Sequence, residues 1–224
     1  MTALRLTWLL FRKDVKIAAR SREVLGFMLL FALLCVVVFA FGFLREGAAA
    51  ADYVPGVLWV TLLFSGTVGL LRLFGPEEEG GTLETVQRSI AGSSPLFFSK
   101  SLLQLAFSGI VTVLLVPVVA IFFDAPVRGA ATVAAALALG LVGQAVLGTL
   151  CAALLVQVRL REVLLPLVLY PLLAPVLIAG VKATALAQTG AGDDAVAGWL
   201  GLMLAFDVLL LVISPWLHAK VVNG

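Results

Sequence analysis

Apolar residues come in long runs along this chain, and two longer stretches break the pattern. Val24 to Leu44, Tyr53 to Phe74, Leu102 to Phe123, Ala130 to Val158, Val163 to Val181 and Val196 to Leu217 form six apolar segments. Crossing the hydrocarbon of a bilayer as helix takes about 20 such residues. The runs therefore predict an all-α, polytopic membrane fold with six transmembrane helices. The first exception is residues 1–23, where Leu4, Trp8, Phe11, Val15 and Ala18 keep a helical period and Arg12, Lys16 and Arg20 form a second stripe. That pattern predicts an amphipathic helix lying in the membrane interface. The second exception is the loop of residues 75–101, the most polar part of the chain.

Composition agrees with the runs. At 62% hydrophobic and 12% charged residues, the chain carries more apolar surface than a soluble core of its size can bury. Residues 1–224 are accounted for by a single integral membrane domain. Ala48-Ala49-Ala50 resembles a signal-peptidase site, but the apolar run before it is longer than a signal sequence needs, so Val24 to Leu44 is expected to be an uncleaved span.

Charge then orients the helices. Six of the fifteen Lys and Arg residues lie at Arg5, Arg12, Lys13, Lys16, Arg20 and Arg22. With the N-terminus inside, the inner side also receives Arg72, Arg88, Lys100, Arg159, Arg161 and Lys220, while the outer side receives Arg45, Arg128 and Lys182. This asymmetry places both termini in the cytoplasm. The N-terminal cations directly precede a span, so anionic lipid rather than nucleic acid is their expected partner. The outer loops, Arg45 to Asp52, Asp124 to Gly129 and Lys182 to Ala195, are too short to fold as domains.

Within the spans, Pro166, Pro171 and Pro175 predict a kinked or broken fifth helix. Gly66, Gly69, Gly140, Gly143 and Gly148 predict close helix packing. Catalytic and metal-binding arrangements are not indicated. None of the five Lys residues follows a Gly, so the phosphate-cradling Gly-Lys-Ser/Thr loop is absent. Cys35 and Cys151 lie in apolar segments without disulfide or metal spacing and read as small hydrophobes. His218 is expected at the cytoplasmic end of the last helix, capping carbonyls or meeting headgroups. Asp207 stands near the middle of the sixth span, as the intramembrane polar candidate for an ion or proton site, or as a neutral carboxyl in a helix contact.

The polar loop has its own helical signals. Gly80 and Gly81 interrupt the preceding helix, and Thr82 can cap a new one whose Leu83, Val86 and Ile90 share a face. Gly92 can end it. Ser94 then caps the next helix, and Pro95 starts it. So small an apolar face needs lipid or a protein groove to cover it. Glu77, Glu78, Glu79 and Glu84 would be repelled by anionic lipid, which favours the groove.

PGVLWVTLLFSGTVGLLRLF, EEEGGTLETVQRSIAGSSPLFFSKSLL, LPLVLYPLLAPVLIAG and ISPW, in that order and spacing, resemble the haem exporter protein B family, that is, cytochrome c maturation protein B. Its members are membrane permease subunits of an ABC transporter in the bacterial inner membrane. The resemblance implies a non-catalytic permease, paired with a second copy of itself and with cytoplasmic ATPase subunits that bind the ATP. It implies that the segment after the second span is a coupling helix, with Thr82, Leu83, Glu84, Val86, Gln87 and Arg88, and Ile90 on the same apolar face, meeting the ATPase. It also implies haem-handling partner proteins of cytochrome c maturation. Their tryptophan-rich motif is absent here, so haem is expected on those partners and no cofactor on this chain. The work done is haem export or release of a haem-loaded chaperone. A permease for another substrate, and a secondary transporter using Asp207, are the alternatives.

The topology has a direct check. Cysteines introduced near Asp52, Asp124 and Asp193 should react with an impermeant maleimide added to sealed cells, and cysteines at Ser21 or Arg159 should not; outside labelling at Arg159 would invert the assignment.

Overall fold

The computed structural model describes residues 3–21, 23–43, 50–75, 94–125, 128–190 and 193–223. These residues form seven α-helices and no strand: α1 (Ala3–Ser21), α2 (Glu23–Phe43), α3 (Val54–Arg72), α4 (Ser94–Phe122), α5 (Ala130–Leu155), α6 (Arg161–Thr189) and α7 (Asp193–Asn223). A short 3-10 turn, Ala50–Tyr53, leads into α3. Helices α2 to α7 are the six that are long and apolar enough to cross a membrane. The chain is a multi-pass membrane protein.

The helix ends follow local chemistry. Pro55 and Pro95 sit in the first turns of α3 and α4, where a missing N–H costs nothing. Gly190 closes α6 in the left-handed region, φ 72°. Two boundaries differ from the hydropathy pattern. Helix α4 begins at Ser94, where Ser94 and Pro95 mark a helix start in the sequence, so it extends eight residues before the apolar run at Leu102 and carries the buried polar turn Ser99-Lys100-Ser101 within it. Helix α6 runs to Thr189 rather than Val181, since no breaker intervenes before Gly190 and Ala183 and Ala187 continue its buried face.

Of the kink or break expected in the fifth span, the break does not occur. Pro166, Pro171 and Pro175 all lie within the continuous helix α6. Leu165, Leu169, Leu173, Val176, Gly180, Ala183 and Ala187 form its buried stripe, while Pro171 and Pro175 are exposed on the other side. The rings thus crowd the side of α6 turned away from its neighbours, and the packed side holds the helix together.

Helices α3 and α5 are the inner pair. Their most apolar windows are 72% and 78% buried, whereas those of α2, α4, α6 and α7 are 22–33% buried. Buried apolar residues separate into two clusters along the bundle. One contains Leu58, Val111, Ala136, Val176 and Met203. The other contains Leu70, Phe97, Val146, Leu169 and Leu210, toward the end where α3 stops and α4 starts. Between them, near the middle of the helices, lie Gly66, Gln104, Ser108, Gln144 and Asp207.

Small residues let the helices approach, as the sequence suggested. The indole of Trp59 lies where a Cβ on either Gly140 or Gly180 would have to be, locking α3 between α5 and α6. Its Nε1 donates a 3.0 Å hydrogen bond to Thr184 Oγ1. A Cβ on Gly148 would collide with Leu70. Gly201, by contrast, has nothing within 4 Å of its Cβ position. Gly140→Ala should therefore lower the melting temperature of the purified protein in detergent, because the pinned indole cannot give way. Gly201→Ala should leave it unchanged or raise it, by up to ~1 kcal/mol of helix propensity.

Candidate functional site

Helix α1 reaches the bundle through only part of its apolar stripe. Leu4, Trp8 and Val15 are exposed, as are Arg12 and Lys16. Thr7, Leu10, Phe11 and Ala18 are partly buried, and Asp14 alone among the described side chains of α1 is fully buried. The helix packs mainly on α4. It has three faces rather than two: exposed apolar residues, a basic stripe, and a bundle-facing side centred on a carboxylate.

That carboxylate meets Lys100. Lys100 Nζ stands 3.1 Å from Asp14 Oδ2, and both side chains are almost completely buried, at 1% and 2% exposure. Nζ also donates to the Leu73 carbonyl at 3.2 Å, just past the end of α3, and lies 5.5 Å from the Phe74 ring centroid. Ser99 Oγ donates to Asp14 Oδ2 at 3.5 Å. Lys13 Nζ lies 3.0 Å from Asp14 Oδ1 on the more exposed side. One buried ion pair thereby joins three elements: α1, the end of α3 and the beginning of α4. A cavity of about 70 Å³ adjoins it, lined by Asp14, Ile17, Val24, Arg72, Lys100 and Phe107. Arg72 is exposed, as expected of a residue that snorkels from a span end.

A second polar set lies deeper. Gln104 Nε2 on α4 donates to the Gly66 carbonyl at 2.9 Å and to Ser108 Oγ at 3.1 Å. Gln144 Nε2 on α5 donates to the Leu63 carbonyl at 3.1 Å and the Leu62 carbonyl at 3.3 Å. Both amides end on the backbone of α3. The gap beside Gln144, Trp59 and Leu173 holds only about 10 Å³, so these side chains tie helices together there rather than line a conduit.

Asp207 is buried on α7, and its oxygens have no hydrogen-bond partner among the described residues. It packs over α5, where a Cβ on Gly143 would stand 2.7 Å from Asp207 Oδ1. That is a close helix contact, and no described cation approaches the carboxyl. His218 corrects an expectation: it is buried against Phe97, with ring centroids 5.4 Å apart, instead of meeting headgroups. Its position four residues after Ser214 continues the inward face of α7, which capping arguments alone overlook. Cys151 is buried and Cys35 half-buried, both free.

The segment that the sequence marked as the contact for an ATPase, Thr82, Leu83, Glu84, Val86, Gln87, Arg88 and Ile90, lies outside the described residues. Its two roots, however, are the end of α3 and the start of α4, and both belong to the Asp14–Lys100 cluster. Sequence analysis missed the cluster because Lys100 was counted only for sidedness and Asp14 interrupts no stripe. A single acid in an otherwise basic helix was the available signal.

A model of the family described as CcmB protein matches residues 5–223. The chain belongs to the CcmB protein family. Among relatives, heme exporter protein B of Rhodobacter capsulatus is 28% identical over 214 residues, covering 96% of this chain and 97% of the relative. Heme exporter protein B of Paracoccus denitrificans is 29% identical over 207 residues, with 92% and 94% covered. That of Pseudomonas aeruginosa is 28% identical over 208 residues, with 93% and 92% covered. The CcmB match therefore spans nearly all of α1, the ion-paired cluster and the six long apolar helices together.

The cluster can be tested by a double-mutant cycle. Lys100→Met leaves Asp14 buried without its main counter-charge and should cost about 3–5 kcal/mol. Asp14→Asn combined with Lys100→Met leaves no buried charge and should recover most of that loss. Thermal unfolding of the wild type, the Lys100→Met and Asp14→Asn single variants and the double variant measures the cycle, and additive losses would mean that the two side chains do not interact.

Proposed function

We propose that this chain is the permease subunit of an ABC transporter serving cytochrome c biogenesis, coupled to ATP hydrolysis on a separate cytoplasmic subunit. The observation that carries the reading is its near full-length likeness to proteins named heme exporter protein B. The chain also has no phosphate-cradling loop of its own, which suits a subunit driven by a partner. ATP sits on that partner, and haem on haem-handling membrane proteins of cytochrome c maturation. Two copies of this permease, each with an ATPase subunit, make the working unit, in the bacterial inner membrane with both termini cytoplasmic. The output is haem export or release of a haem-loaded chaperone on the outer face.

In this reading the segment between α3 and α4 is the coupling element. Leu83, Val86 and Ile90 fill a groove of the ATPase, and Thr82, Glu84, Gln87 and Arg88 make polar contacts around it. The arrangement of the roots supports this: one of them is the end of α3, the helix to which α4, α5 and α6 are tied by Gln104, Gln144 and Thr184. A push on the segment therefore reaches the whole bundle.

Leu83→Asp with Val86→Asp would place two charges against a desolvated patch, at a cost of several kcal/mol. The doubly substituted chain should insert normally but lose the ATPase subunit on co-purification, with matching loss of holo-cytochrome c. Asp207→Asn, similar in shape and reach, should keep both. Loss of holo-cytochrome c in an assembled Asp207→Asn complex would instead favour an ion-driven transporter. Retention of a fully active ATPase by the double variant would remove the coupling role from the segment.

A further inference from the structure

The loop between α3 and α4 is mounted on an ion pair whose negative half comes from a third element, α1. Lys100 touches the Leu73 carbonyl at one root of the loop and belongs to α4 at the other root. Its counter-ion, Asp14, sits on the interfacial helix. Without such a link, a force on the loop would be free to spread its roots at the point of application. With it, the end of α3, the beginning of α4 and α1 are held at fixed separation.

From this geometry we propose that Asp14 and Lys100 are positioning residues for energy coupling, which make α1 move with the roots of the loop whenever the ATPase subunit changes state. The proposal rests on the permease reading above. Helix α1 is suited to such motion. Its exposed Leu4, Trp8 and Val15 and its basic stripe give it a surface for the membrane interface, and the polar grip on α4 is made on its opposite side. The cavity of about 70 Å³ beside the pair, with Val24 of α2 in its wall, leaves room for α1 to shift relative to α2 without breaking the pair. Contacts agree with this: α1 packs extensively on α4 and only slightly on α2. The charges facing the pair are Lys13 on Asp14 and, across the cavity, Arg72.

The test uses the intact transporter complex. Asp14→Asn with Lys100→Met removes both buried charges, so the chain keeps its fold while the electrostatic grip on α1 is lost. The complex should contain its ATPase subunit at the wild-type level and continue to hydrolyse ATP, while the holo-cytochrome c made at equal complex abundance falls several-fold. Lys100→Arg, which keeps the charge and a donor for the Leu73 carbonyl, should yield wild-type amounts. Wild-type output from the neutral double variant would overturn the proposal. So would loss of the ATPase subunit from that variant, which would make the pair part of the docking surface, or a Lys100→Arg chain as impaired as the neutral one. A wild-type chain that purifies with no ATPase would instead refute the permease reading on which the proposal stands.

Discussion

Lipid tails offer no hydrogen bonds, so a polar side chain within this bundle has to find its partner on the protein. Here the partner is repeatedly helix α3. The Gln104 and Gln144 amides donate to its carbonyls at Gly66, Leu63 and Leu62, Lys100 donates to the Leu73 carbonyl just beyond its end, and Trp59 donates from it to Thr184. Each interhelical bond of this kind contributes only about 0.6–2 kcal/mol. Their combined effect is geometric: three neighbouring helices are fixed in register against one inner helix. The two apolar clusters above and below the amides then pack against a frame whose registry is already set.

Glycine works in the same direction. Apolar side chains gain little from leaving lipid for one another, so helix contact depends on closeness and fit. Gly140 and Gly180 admit the Trp59 indole, and Gly143 admits the Asp207 carboxyl. The Asp207 site is thereby a contact between α5 and α7, near the level of the amide layer. At the loop end the same logic uses charge, because a lysine and an aspartate so thoroughly buried must compensate one another.

The placement of these bonds bears on energy transfer. Under the proposed reading, motion imposed between α3 and α4 would enter at a helix tied to α4, α5 and α6, and through Asp14 it would reach α1 as well. On the permease reading proposed above, energy released by the ATPase subunit would need such a route from loop to bundle.

The sequence by itself determined the six long apolar helices, a separate N-terminal helix α1 and the place of the polar segment between α3 and α4. Each of these depends on local composition: a backbone in lipid must satisfy its own hydrogen bonds, and does so within each helix. Close packing at Gly66, Gly140 and Gly143 was legible for a similar reason, since small residues in a span have few other uses. Only the tertiary structure decided which faces meet. Ser99 and Asp14 are 85 residues apart, and Gln144 and Leu63 are 81 apart. No periodicity joins residues at such separations. Lys100 read as a surface charge, and His218 as capping carbonyls or meeting headgroups, because hydropathy assigns polar residues to water, whereas a neighbouring helix supplies Lys100 with a counter-ion and the His218 ring packs against Phe97. The prolines of α6 predicted a kink or a break, and α6 is unbroken, with Pro171 and Pro175 on its exposed face. What a side chain costs is written in its own chemistry, but what offsets that cost arrives from elsewhere in the fold.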